Sequence, residues 1–83
     1  MASSTRVFVP QGVATLVYTG TGEKVLLQTG QIYIGGSNVS ASNGLFLTGY
    51  NCDFYDLGVV ALNEEIYALS TSFDNEVTIF TYS

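Results

Sequence analysis

Gly20-Thr21-Gly22-Glu23-Lys24 is the stretch closest to a catalytic signature. A phosphate loop of the GxxxxGK[ST] kind wraps backbone amides around an anion between a strand and a helix. In this chain Glu23 intervenes, Val25 follows Lys24 and the sequel is strand-like, so the glycines read as a turn. Glu64 and Glu65 are adjacent and in an extended chain point to opposite faces, so they cannot flank one glycosidic bond. Asn51, Asp53 and Asp56, or Asp74, Asn75 and Glu76, offer oxygens to a hard cation, but neither run has the spacing of a calcium loop. With no His and one Cys, the chain can build neither a Ser/His/Asp or Cys/His arrangement nor the usual zinc set nor an internal disulfide. Cys52, beside Asp53 and without a His, reads as an inert thiol. The sequence therefore predicts no enzyme, no cofactor and no metal.

Composition narrows the class further. The 83 residues carry two basic and seven acidic side chains, a net charge of -5, which repels nucleic-acid phosphates and anionic lipid. Nucleic acid and membrane are not expected partners. Charged residues make up 11% of the chain, against about 25% in ordinary domains. Ser, Thr, Asn and Gly take their place, which suits a surface made of turns and contacts. So short a chain, with no disulfide, is expected to gain robustness from partner subunits. Residues 1–5 are polar and no apolar run reaches the roughly 20 residues of a membrane span, so no signal peptide or transmembrane segment is expected. Asn38-Val39-Ser40 fits the glycosylation sequon by chance on that reading.

Positioning falls to strands. Val, Ile, Thr, Tyr and Phe supply 33 of the residues, and runs rich in them recur at 6–9, 14–18, 24–28, 31–34, 45–48, 66–70 and 76–82, while 49–62 is apolar but has no clear strand boundaries. Seven or eight short strands predict an all-β, single-domain antiparallel sandwich or barrel, jelly-roll-like, over residues 1–83, with 1–5 as an extended N-terminal arm. Gly20 and Gly22 are expected in a tight hairpin joining 14–18 to 24–28. Gly35 and Gly36 close the next run, and Asn43-Gly44 is expected to turn with positive φ. Alternation places Val7, Val9, Leu16, Tyr18, Val25, Leu27, Ile32, Ile34, Leu45, Leu47, Tyr67, Leu69, Val77 and Ile79 inside. It leaves Phe8, Val17, Leu26, Tyr33, Phe46, Ile66, Phe80 and Tyr82 outside. So much outward apolarity marks contact with another chain. The candidate protein–protein residues are Phe8, Tyr33, Phe46, Tyr50, Phe54, Tyr55, Phe80 and Tyr82.

Ala14-Thr15-Leu16-Val17-Tyr18-Thr19-Gly20-Thr21, Val25-Leu26-Leu27-Gln28, the run from Ile32-Tyr33-Ile34-Gly35-Gly36-Ser37-Asn38 through Ser42-Asn43-Gly44-Leu45, and Ile66-Tyr67-Ala68-Leu69-Ser70 carry a pattern. It resembles small β proteins and modules encoded among the structural genes of tailed bacteriophages, over most of residues 14–82. Residues 50–62 depart from it, with Tyr50, Phe54 and Tyr55 where a plainer linker is usual. The resemblance implies a virion component made in the host cytoplasm. Its small size favours a capsid decoration or cement protein, a homo-oligomer with a trimer preferred, bound to the major capsid protein or another virion protein. The alternative it leaves is a tail or neck component acting as adaptor or host-attachment module, with glycan binding in view.

Overall fold

Alternating β-branched and aromatic residues build eight strands in the computed structural model, which describes residues 2–47 and 54–83, Phe54 by its backbone alone. They are β1 (Ser3–Val9), β2 (Thr15–Thr19), β3 (Lys24–Thr29), β4 (Ile32–Gly35), β5 (Leu45–Leu47), β6 (Phe54–Val59), β7 (Glu65–Leu69) and β8 (Asn75–Tyr82). No helix occurs among the described residues, and so none is long and apolar enough to cross a membrane. The strands form two four-stranded antiparallel sheets, β1-β8-β3-β6 and β2-β7-β4-β5. This is the order of an eight-stranded jelly-roll sandwich and not of one closed barrel. The Cα radius of gyration, 11.7 Å, is that of a single compact domain of this length.

Only β4 and β5 are both consecutive and paired. The hairpin expected between 14–18 and 24–28 is therefore a crossover: β2 pairs with β7 while β3 pairs with β8 and β6. A Gly-x-Gly turn serves either connection, and burial of both apolar faces between two sheets selects the crossover. Gly22 does have positive φ, +88°, and its N–H donates to the Val60 carbonyl at 2.9 Å. Gly20 does not. It is required because a Cβ there would strike the Ala61 carbonyl oxygen and lie 2.7 Å from Val60 Cγ1. The arm expected at 1–5 is in part a strand, since Ser3, Ser4 and Thr5 register with Thr81, Phe80 and Ile79.

Val9, Val25, Leu27, Ile32, Ile34, Ala68, Val77 and Ile79 fill the space between the sheets, nearly or wholly solvent-free, joined by Val17, Leu47 and Val60. Each large aliphatic chain so buried contributes about 1.5–3 kcal/mol. Three face assignments differ from expectation. Leu16 is outward and Val17 inward, because Val17 is the extra residue of a bulge between Leu16↔Tyr67 and Tyr18↔Ile66. Tyr67 and Leu69 are outward while Ala68 is fully buried and Ile66 packs on the core. Ser70, also fully buried, anchors that phase by donating its hydroxyl to the Phe73 carbonyl. Leu45, expected inside, is 54% exposed at the start of the three-residue β5.

Candidate functional site

Two outer sheet faces are available, and they differ in kind. On β2-β7-β4-β5, the residues outward of the buried Val17, Ala68, Ile32, Ile34 and Leu47 align in two rows, Leu16–Tyr67–Gly35 and Leu69–Tyr33–Phe46. The Tyr33 and Phe46 rings lie 4.9 Å apart, tilted by 40°, an arrangement that adds about 0.5–1.5 kcal/mol beyond burial. No charged side chain occupies either row; Glu65 stands beyond them, opposite Thr19. The rows are uncharged: Leu16 and Phe46 are exposed, Tyr33, Tyr67 and Leu69 are half-buried, and the buried Val39 of the β4–β5 loop lies against Gly35.

The outer face of β1-β8-β3-β6 is mixed. Phe80 and Tyr82 stack at 5.7 Å, with the Lys24 ammonium 5.8 Å from the Tyr82 ring. Register places Leu26 beside Phe80 and Asp56 beside Leu26. Both basic residues of the chain, Arg6 and Lys24, belong to strands of this sheet, Arg6 pairing with Glu76 at 3.7 Å.

The structure thus brings the sequence-derived candidates into two pairs on opposite sides, Tyr33 with Phe46 and Phe80 with Tyr82. Phe8 lies apart from both, opposite Glu76 and four positions along β1 from the residue facing Phe80. Tyr55 registers with the inward Leu27 on edge strand β6 and is 40% exposed, so it belongs to the sandwich rim. Tyr50, like Cys52, Asn51 and Asp53, lies outside the described residues, as does the Phe54 side chain. Leu16, Tyr67 and Leu69 complete the apolar face, and alternation alone assigned them to the core.

The β4–β5 loop is built by Asn43. Its Oδ1 accepts from Ser40 N at 2.7 Å and its Nδ2 donates to Asn38 O at 3.1 Å. Gly44 does not take positive φ; a Cβ there would lie 2.8 Å from Tyr33 Cβ and 2.9 Å from Val39 Cγ2, so close approach demands the glycine. Gly35 is similarly near Val39, with 3.1 Å to its Cγ2, and Gly36 accepts from Val39 N at 3.0 Å. The loop therefore pins the Tyr33 end of the apolar face.

The amides of Gly20 and Gly22 are spent on the Glu64 and Val60 carbonyls, and Thr21 donates to the Glu23 carboxylate, which repels an anion. Asp74 Oδ1 accepts from Gln11 N, Asn75 bridges Gln31 O and Glu76 N, and Glu76 faces Arg6. Among the described residues no three carboxylates or thiols converge on a metal position. Comparison with family models, curated proteins and solved structures found no match to this chain.

Proposed function

We propose that the chain is a bacteriophage virion structural protein that decorates the capsid exterior and cements it. The observation that carries the reading is the two uncharged rows on the outer face of β2-β7-β4-β5, Leu16, Tyr67, Leu69, Tyr33 and Phe46, with Glu65 at their margin, on a protein of net charge -5. The phage-like sequence pattern supplies the biological setting. Four strands about 4.8 Å apart and roughly five residues long give a footprint of about 300 Å². That is less than half of the ~800 Å² per partner in a standard interface. One face therefore docks weakly, and durable attachment comes from lattice repetition and linked copies. Whatever binds only the assembled shell shifts its disassembly equilibrium towards the intact particle.

The test is a particle lacking the protein. It assembles with normal geometry but releases DNA at lower temperature or under osmotic shock, and added purified protein restores resistance with saturation. Because the docking rows hold no charge, raising salt weakens attachment little. Normal resistance combined with failed adsorption to host cells selects the tail-attachment reading instead.

A further inference from the structure

Each sheet ends in two edge strands, and open edges are templates for pairing with another chain. Three of the four are guarded. β5 has three residues among the described ones. β2 carries the Val17 bulge. β6 carries a second bulge, where Leu57 is skipped between Asp56 and Gly58, Gly58 has φ +70°, and Asp56 Oδ1 accepts its N–H. β1 is neither short nor bulged, and its one edge charge, Arg6, is paired with Glu76. It runs seven residues in unbroken register with β8, ends only at Pro10, and pairs with no second strand among the described residues.

We propose that β1 is a self-association edge: it pairs antiparallel with β1 of a second copy about a two-fold axis centred on Val7. The inference stands on the edge itself and not on the virion reading. The self-complementary pattern of β1, Arg6 and Phe8 flanking Val7, selects a second copy as occupant, and local charge does not oppose it. Two molecules of charge -5 repel wherever acidic groups face each other, but the β1 flank exposes one opposite pair, Arg6 and Glu76. The acidic Glu23, Glu64, Glu65 and Asp74 do not lie on β1.

Register follows from matching faces. Keeping both inner faces on one side of the joined sheet requires the two-fold to pass through a residue position. Centring on Arg6 opposes two guanidinium groups, which is unfavourable. Centring on Thr5 sets Phe8 against Ala2, outside the strand, and centring on Phe8 sets Arg6 against Pro10, also outside it. Centring on Val7 sets Val7 against Val7, Thr5 against Val9, and each Arg6 against the Phe8 of the other copy. Phe8 is 57% exposed in the single chain, and the guanidinium over its ring supplies a cation–π contact. The product is one eight-stranded sheet spanning two protomers.

Sedimentation of the full chain shows a monomer–dimer equilibrium that shifts with concentration. Phe8→Lys weakens it by roughly tenfold or more, because the new ammonium opposes Arg6 of the other copy. Within its own chain that ammonium faces Glu76, so the thermal midpoint of dilute protein does not fall. Adding Arg6→Glu to Phe8→Lys restores association by exchanging the charges. Independently, Val7→Cys in a Cys52→Ser background crosslinks two copies on oxidation. A chain that stays monomeric at millimolar concentration, a trimer, undiminished association of Phe8→Lys, or no crosslink through position 7 overturns the proposal.

Discussion

Gly44 shows how one missing carbon can hold a surface in place. The Cβ of Gly44→Ala would meet Tyr33 and Val39 at under 3.0 Å, and Tyr33 stacks on Phe46 in the apolar face. Overpacking of that kind costs about 1–3 kcal/mol, so a urea or thermal melt of Gly44→Ala shows a loss in that range. Gly36→Ala is the control: its Cβ would meet only Asn38 Oδ1, at 3.5 Å, and its stability stays within about 0.5 kcal/mol. Asn-Gly suggested a special residue at this point, but for the wrong physical cause. Positive φ is a local property that a dipeptide signals, whereas approach of a backbone to a side chain eleven residues earlier is tertiary. Ser70 makes the complementary case. Ser70→Ala removes a buried hydroxyl whose acceptor, the Phe73 carbonyl, then lacks its partner, and the expected cost is about 1 kcal/mol.

At the scale of strands, bulges decide what alternation leaves open. β3 and β8 alternate cleanly, and Val25, Leu27, Val77 and Ile79 were legible as core from spacing alone. Ile66-Tyr67-Ala68-Leu69 is apolar at every position, so its phase was not legible. It is set by Val17, whose bulge shifts β2 by one residue against β7, and by the need to seat Ser70 inside. The same ambiguity hid three of the five side chains of the apolar face, while Tyr33 and Phe46 stood out because Ile32, Ile34 and Leu47 flank them. Paired substitutions test the assignment. Leu16→Ser changes stability by about 1 kcal/mol or less, since Leu16 is 41% exposed. Val17→Ser loses about 2 kcal/mol or more, from the cavity and the buried hydroxyl. Equal losses at the two positions would mean that the bulge is misplaced.

For the whole molecule, the two proposals meet in one geometry. A two-fold normal to the β1-β8-β3-β6 sheet leaves both second sheets on the same side of it, so their apolar faces look in one direction. Such a dimer engages a shell at two points, and linkage of this kind multiplies avidity by roughly 10²–10⁴. Phe8→Lys then lowers capsid coverage by roughly 10²-fold, though it touches no residue of the docking face; cosedimentation with stripped particles measures it. Tyr33→Asp abolishes coverage while leaving the dimer intact. The strand order also governs how the protein comes into being. β8, the last of these eight strands in chain order, sits between β1 and β3. At about 5–20 residues per second, roughly 4–14 s separate synthesis of β1 from that of β8. Through that interval β1 and β3 have no common neighbour and Val7, Val9 and Val25 have no core to enter. The growing chain is thus stickier than the finished one, and chaperone capture of nascent chains stalled on a C-terminal linker of increasing length peaks before residue 75 leaves the ribosome and drops once the linker is long enough for 75–82 to emerge.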